Sequence, residues 1–426
     1  MIVMKLGFKK NCTLKGIFVI IDGMGDLPTR TLNNKTPLEA AKTPHMDFLA
    51  TRGEMGYYYT VKPGFIPESD EAIVSIFGNK LMASTRGQLE ARGAGMKLVR
   101  GDLALRANFA TVDSYNSGNI IDRRAGRTLT TAEAESLGRA INKIKLDVPF
   151  EFKPTVQHRA AIVFRGGFSD NFSGNDATYF QGKTQNVLKT RRCKALDDDE
   201  NTKYTIDLVN EFLKKVYNVL DSHPVNIDRK KRGLMPANYL FIRGAGIEKP
   251  KLKQYRGWAS LGYMPLEIGF SKVSGMKVYG FDYPKLKGID SYVNLWRGLK
   301  KACKFSIKII KKSLKNHSYL YLHIKETDLP GHDNKPFVKK EMIEYIDKTL
   351  IKYLRKVAPY YGIKVVVTAD HSTPCKLKVH SADPVPLLLY NNSVLKEKHF
   401  SEKEARKGTL GRIVGGEIFK KVGFGR

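Results

Sequence analysis

Five short stretches of this chain are mainly apolar: residues 16–22 (GIFVIID), 239–243 (YLFIR), 319–325 (YLYLHIK), 364–370 (KVVVTAD) and 385–390 (VPLLLY). None alternates polar with apolar residues, so each suits burial on both faces. A parallel sheet covered by helices on either side needs strands of that kind. Between two of them Ile343, Ile346, Leu350 and Leu354 recur at three- or four-residue steps, the mark of a helix with one buried stripe. Strand, helix, strand in that order predicts an α/β fold. At 426 residues the chain is long for one core. Its middle also reads differently. From about Met82 to Pro236 a helical stretch (131–145) and a strand (160–165) are followed by two highly charged loops, 189–203 and 228–232. The expected organisation is a discontinuous core, 1–82 and 236–426, with a smaller domain, 83–235, inserted into it.

Composition narrows the class. No apolar run approaches the roughly 18 residues of a membrane span. The N-terminal segment 1–15 has scattered lysines and no apolar stretch or cleavage site, so it reads as an extension and not a secretion signal. Cys12, Cys193, Cys303 and Cys375 lie far apart with no CxxC spacing, as expected for reduced thiols of a cytoplasmic protein. The net charge is +31, spread along the chain without a zinc finger or an RNP-like aromatic run. A basic surface of this kind could bind nucleic acid or attract small anions such as phosphate esters, and the expected reading is a solvated, lysine-rich surface. Nucleic acid is not the expected partner, no membrane contact is, and no oligomeric state follows.

Acids and imidazoles gather where the predicted strands end. Asp22 closes the first of them. Asp328 and His332 stand four apart after the 319–325 strand, on an expected loop because Pro330 and Gly331 disfavour a helix. Asp370 and His371 follow the 364–370 strand, with His380 shortly after. Open α/β sheets bind ligands at this edge. A single Asp or His there is usually a cap or turn residue; several together point to a pair of divalent cations. Mixed Asp/His ligation suits Zn²⁺, Mn²⁺ and similar ions better than Ca²⁺. Two such ions can clamp both oxygens of an in-line phosphoryl transfer. Ser69 lies at the start of a helical stretch, 71–77. It reads locally as an N-cap, and beside metal ions as a nucleophile whose phosphate the helix amides would stabilise.

Taken together, FVIIDGMGDLP, LNNKTPLEAAKTPHMD, SDEAIVSIFG, NFATVDSYNSGNIIDRRAGR, HRAAIVFRGG, ANYLFIRGAG, HIKETDLPGHDN and TADHSTPCKLKVHSADPVPLL resemble the archaeal-type, cofactor-independent phosphoglycerate mutases. The resemblance runs in one order from about Gly16 to the end. It implies an alkaline-phosphatase-like core, a mostly parallel sheet flanked by helices, with an inserted α+β domain. It further implies a phosphoserine intermediate at Ser69 and two divalent ions (Mn²⁺, Zn²⁺, Co²⁺ or Mg²⁺). One ion would take Asp328, His332 and His380; the other Asp22, Ser69, Asp370 and His371. 3-Phosphoglycerate and 2-phosphoglycerate would interconvert without 2,3-bisphosphoglycerate. Arg123 and Arg124 are the first candidates to grip the anionic substrate, since paired guanidiniums hold carboxylate or phosphate bidentately. His158, Arg159 and Lys325 come next, and Asp176 survives from a family pattern.

Four positions depart from that family. Glu68 stands where Gly commonly precedes the serine, and Ile73 where Asn or His is usual. Gly174 opens GNDAT in place of an Asp-x-Asp-Pro-His pattern, and Ile268 replaces a Lys before Gly269. The alternatives are another metal-dependent phosphomutase or phosphatase of the same superfamily, or a catalytically degenerate basic protein that binds nucleic acid.

Overall fold

The computed structural model describes residues 12–81, 86–176, 188–393 and 399–425, and the backbone of 179–180 and 183–184. The first eleven residues and the domain junction expected at 82–83 lie outside the described residues. The main strands in chain order are β1 (Gly16–Ile21), β2 (Gly53–Tyr59), β3 (Leu103–Val112), β4 (Ile120–Asp122), β5 (Phe150–Pro154), β6 (Arg159–Phe164), β7 (Tyr239–Gly246), β8 (Trp258–Gly262), β9 (Lys277–Gly280), β10 (Tyr319–Ile324), β11 (Lys364–Thr368), β12 (Val385–Tyr390) and β13 (Gly411–Val414). The helices used below are α1 (Ser69–Ile76), α2 (Arg86–Gly93), α3 (Thr131–Ile141), α4 (Glu200–Asp221), α5 (Pro224–Lys231), α6 (Pro265–Val273), α7 (Ser291–Ser313), α8 (Asp328–His332), α9 (Pro336–Ile346) and α10 (Lys352–Tyr361).

Eight strands form one sheet in the order β9-β8-β10-β1-β11-β12-β2-β13. All but β12 run the same way. The centre of this sheet, β10-β1-β11, is in register from Gly16 opposite Tyr319 and Lys364, and every residue of β1 and β10 is buried. Three chain-distant strands therefore end side by side, about 4.8 Å apart from one to the next. The segments following them must share one edge.

A second sheet, β7-β3-β6-β5 with β4 beside β3, is antiparallel throughout. It takes its strands from between Leu103 and Gly246. The stretch 239–243, expected in the parallel sheet, is β7 here and pairs with β3. Its uninterrupted apolar character has the same origin as in a parallel sheet: both faces are covered. Leu240 and Ile242 pack into the core against α3 and α4, while Tyr239 and Phe241 pack with Ala110, Val112 and Tyr217 on the other side. Strand direction does not show in such a run, which is also why β12 looks like its parallel neighbours.

Three further local expectations change. Residues 228–232 are not a loop: α5 opens with His223 accepting from Val225 N and Pro224 in the first turn, and ends at Lys231. Its Arg229 is fully buried. The charged stretch 189–203 gives way to α4 at Glu200, where Asp199 caps the helix. Asp328 to His332 is one helical turn, α8. Pro330 falls in that first turn, where no intrahelical bond needs its missing N–H. The expected helix through Ile343, Ile346, Leu350 and Leu354 is present as α9 and α10 joined by a π-helical turn, all four residues fully buried. No helix among the described residues is long and apolar enough to cross a membrane.

Candidate active site

Asp22 follows β1, Lys325 follows β10, and Asp370 and His371 follow β11. The shared strand edge places their side chains in one cluster. Gly23 makes the turn: its φ is +59°, and a Cβ there would lie 2.8 Å from Asp328 Oδ1. Its N–H donates to Asp370 Oδ1 at 3.1 Å. His371 Nε2 lies 3.4 Å from Asp22 Oδ1, 3.4 Å from Asp370 Oδ2 and 3.3 Å from Ser69 Oγ. α8 adds Asp328 and His332, with His332 Nε2 3.3 Å from Asp328 Oδ2. His380 Nε2 is 3.6 Å from Asp328 Oδ1. All seven residues proposed from sequence as metal ligands thus meet in one place.

The ring orientations are fixed from behind. His332 Nδ1–H donates to Lys378 O at 2.9 Å and His380 Nδ1–H to Pro67 O at 2.9 Å. Thr373 Oγ1 donates to Asp328 Oδ1, so it accepts from His371 Nδ1–H at 3.0 Å. In all three imidazoles Nδ1 is the nitrogen tied back and Nε2 faces the carboxylates, the orientation that a metal-binding histidine takes. Three sets of donor atoms lie within reach of a shared ion: Asp328/His332/His380, Asp22/Asp328/His371 and Asp22/His323/Asp370. The donor chemistry fits borderline divalent cations.

Two members of the cluster are new relative to the sequence reading. His323 is fully buried on β10, its Nε2 3.4 Å from both Asp22 and Asp370 and its Nδ1 2.9 Å from Tyr321 OH. Glu267, in the first turn of α6, holds Lys325 Nζ at 2.9 Å. Lys325 also pairs with Asp22 and reaches Ser69 Oγ at 3.5 Å. Burial alone would lower the lysine pKa, but Asp22, Glu267 and Asp370 outweigh it and hold the ammonium firmly protonated. The one sequence signal for His323 is an imidazole inside an otherwise apolar strand, two residues before Lys325 and so on the same face.

Ser69 opens α1 at the floor of the cleft. It is not the cap: Glu68 occupies that position, and Glu71 reaches back to its N–H at 2.9 Å. The Glu68 carboxylate meets Arg243 at 3.1 Å and Arg86 at 3.5 Å. Burial would raise its pKa, but Arg243, His380 and Arg86 overcome this and keep it well below the usual range. Its charge is therefore neutralised locally. Ile73 is buried in the large core, and neither it nor Ile268 lines the cleft. Gly174 lets the chain pass β7, where a Cβ would stand 2.3 Å from Ile242 O.

The opposite wall comes from the second sheet. Arg123, Arg124, His158, Arg159 and Asp176 all line the cleft with Ser69 and Lys325. The loop carrying the arginine pair is held in an unusual backbone: Ala125, Gly126 and Arg127 have φ of 47°, 65° and 57°. Asp122 Oδ1 accepts from the N–H groups of Arg124 (2.7 Å) and Gly126 (2.8 Å). Buried Arg229 donates to Thr128 Oγ1 at 2.7 Å and pairs with Glu133 at 3.0 Å. Arg123 pairs with Asp176 and lies 4.7 Å above the Phe241 ring. His158 is held neutral, first by burial and then by Arg159, Arg124 and Arg127. Its Nδ1 has no hydrogen-bond partner among the described residues. Arg86, Arg106, Arg127 and Arg243, which the sequence reading did not nominate, line the same cleft. Arg127 is engaged by Asp333.

Comparison with known proteins finds relatives along almost the whole chain. Residues 50–226 match the family model described as 2,3-bisphosphoglycerate-independent phosphoglycerate mutase, and residues 286–424 match the metalloenzyme superfamily. A protein of that mutase name from Pyrococcus furiosus is 39% identical over 410 residues, covering 95% of each chain. One from Methanocaldococcus jannaschii is 36% identical, covering 95% of this chain and 96% of its own. A solved structure from Pyrococcus horikoshii has a TM-score of 0.73 at 30% identity, covering 97% of this chain and 98% of its own. A cofactor-independent phosphoglycerate mutase from Thermoplasma acidophilum superposes with a TM-score of 0.56 at 27% identity, covering 96% and 98%.

Proposed function

The chain belongs to the 2,3-bisphosphoglycerate-independent phosphoglycerate mutases, and from that premise we propose that it interconverts 3-phosphoglycerate and 2-phosphoglycerate by passing the phosphoryl group through Ser69. The reading is carried by one juxtaposition. The Ser69 hydroxyl stands between a carboxylate–imidazole cluster on one side and an arginine-lined wall on the other.

On this reading Asp328, His332 and His380 hold one divalent ion, and Asp22, Ser69, Asp370 and His371 the other. Manganese, zinc, cobalt and magnesium are the candidates. Ions held there lower the hydroxyl pKa and offset the charge of the phosphoryl oxygens. Ser69 Oγ gives up its proton and bonds to phosphorus as the bond from phosphorus to O3 of the substrate breaks, and O3 takes up a proton to leave as a hydroxyl of glycerate. Glycerate stays between the walls and turns. Its O2 then gives up its proton and takes the phosphoryl group as the Oγ–phosphorus bond breaks, and the proton restores the serine hydroxyl. Arg124 and Arg159 bind the substrate anion. Arg123 is presented by Asp176 and Phe241, and neutral His158 offers a hydrogen bond from the same wall. Lys325 contacts the phosphoryl oxygens beside Ser69.

The second sheet, with the chain through β7, is on this reading a substrate-binding domain inserted between the halves of a metal-binding core. The four unbridged cysteines agree with a cytoplasmic enzyme. An enolase-coupled assay on 3-phosphoglycerate, run without 2,3-bisphosphoglycerate, tests the function. Conversion is expected; release of inorganic phosphate in its place would make the protein a phosphatase. Ser69→Ala is expected to abolish turnover without loss of fold by circular dichroism, and residual turnover near wild type would exclude the phosphoserine route.

A further inference from the structure

Glu267 is a buried carboxylate outside all three donor groups able to share a metal ion, yet it stands against one of them through His323 and beside Lys325. It is 2% exposed. Oε1 lies 2.9 Å from Lys325 Nζ and 3.8 Å from His323 Nδ1, and Oε2 meets no hydrogen-bond partner among the described residues. A carboxylate so far from water needs a compensating charge, and Lys325 is the cation it contacts.

The backbone beneath Glu267 is fixed. α6 packs so closely on α2 that a Cβ on Gly269 would lie 1.9 Å from Leu89 O, and one on Gly93 would lie 1.7 Å from Pro265 O. Glu267 is therefore presented by a helix that cannot shift without separating these two. The Lys325 stem is flexible by comparison, and its ammonium has five anionic or polar neighbours: Asp22, Asp370 at 3.9 Å, Glu267, Ser69 Oγ and His323 Nε2 at 3.5 Å. Asp22 and Asp370 belong to the ligand groups. Once they face divalent cations, those cations repel the ammonium. Glu267 is then the carboxylate left to retain it.

We infer that Glu267 is a positioning residue for phosphoryl transfer: it keeps the Lys325 ammonium against the Ser69 hydroxyl when Asp22 and Asp370 are engaged by cations. The inference rests on Ser69 being the phosphoryl acceptor. It explains why a chain with a crowded anionic cluster buries one more carboxylate beside it.

Glu267→Gln keeps the shape and removes the charge. The expected result is a fall in kcat of about 10²-fold with KM for 3-phosphoglycerate within about twofold, since a displaced group costs turnover more than binding. Metal content measured by plasma emission stays as in the wild type. In a Lys325→Met background, Glu267→Gln adds no further loss, because it acts through that ammonium. Glu267→Asp, which keeps the charge, recovers part of the lost kcat. In a crystal structure of metal-loaded Glu267→Gln, Lys325 Nζ is withdrawn from Ser69 Oγ. Unchanged kcat in Glu267→Gln, losses that multiply in the double variant, an Asp variant as slow as the Gln one, or metal lost from Glu267→Gln would each overturn the inference. Ser69→Ala separates it from its premise. Turnover that survives in Ser69→Ala removes the phosphoserine reading; an inactive Ser69→Ala beside a fully active Glu267→Gln removes the positioning role alone.

Discussion

Lys339 is fully buried, and its ammonium holds two site loops together. It meets Asp26 at 2.7 Å and donates to Thr373 O at 2.9 Å and Gly25 O at 3.3 Å. Asp26 follows β1 and Thr373 follows β11, so this one cation ties the turn bearing Asp22 to the turn bearing His371. Lys339→Met would leave the Asp26 carboxylate buried without its counter-charge. The expected loss is about 3–5 kcal/mol, read as a lower urea midpoint; a midpoint within error of wild type would show the pair to be dispensable. Glu402 behaves differently. It accepts from Thr36 Oγ1 at 2.7 Å and from Asp26 N at 3.2 Å. Burial, and then the Glu39 and Asp26 carboxylates, push its pKa up to about 7. A carboxyl raised in the folded state stabilises fully below its unfolded pKa, near 4.5, and loses that contribution as pH rises through 7. By linkage the change amounts to about 3 kcal/mol. Glu402→Gln should flatten the stability profile between pH 5 and 8, and a slope equal to wild type would count against it. Residues of these two kinds were not legible in sequence. A lysine in the first turn of a helix and a glutamate near the C-terminus look like surface charges until the fold buries them. Asp22, Asp370 and His371 were legible, because each directly follows a strand that the apolar runs reveal.

The elements divide along a similar line. β1, β10 and β11 could be read because they are apolar on both faces. The direction of β12 and the sheet that owns β7 could not, since both depend on partners far away in the chain. The long helix α7 could have been read too: Leu295, Leu299, Ile309 and Ile310 recur at helical spacing on a buried face that Gly298, Ala302, Cys303 and Ser306 complete. Its outer face carries Arg297, Lys300, Lys301, Lys304, Lys308, Lys311 and Lys312, all exposed, and the helix contains no acidic residue. Like charges three and four residues apart repel by about 0.2–0.5 kcal/mol per pair. Lys304→Glu replaces repulsion with attraction towards Lys300, Lys301 and Lys308. It should stabilise the protein by about 1 kcal/mol at low ionic strength, measured by urea unfolding. The gain should shrink in 0.5 M salt, as about 10 Å of screening length at 0.1 M shortens further. No gain at low salt would mean that the stripe is already screened or paired.

At the scale of the whole molecule, the residues proposed for chemistry and those proposed for recognition sit on different sheets. Asp22, Ser69, Asp328, His332, Asp370, His371 and His380 all come from segments around the large sheet. Arg123, Arg124, His158, Arg159 and Asp176 all come from the second one. Two kinds of contact join them: the close packing of α2 on α6, and bridges such as Arg127 to Asp333, whose other oxygen accepts from Tyr292 OH at 2.7 Å. The bridges were not legible in sequence, because Arg127 and Asp333 are 206 positions apart. The separation has a thermodynamic consequence. On the proposed ligand set divalent ions would bind only the body that carries the carboxylates, and a ligand at a hundred times its Kd stabilises that body by about 2.7 kcal/mol. On the same proposal substrate would touch both. In scanning calorimetry, stripping metal with EDTA should lower the melting of the large-sheet body and leave the second sheet's transition in place. Adding back Mn²⁺ should restore it, and 3-phosphoglycerate given to metal-loaded Ser69→Ala should draw both transitions upward together. If EDTA moved both transitions equally, the two sheets would unfold as one body, and metal binding would stabilise the arginine wall as strongly as the carboxylates it touches.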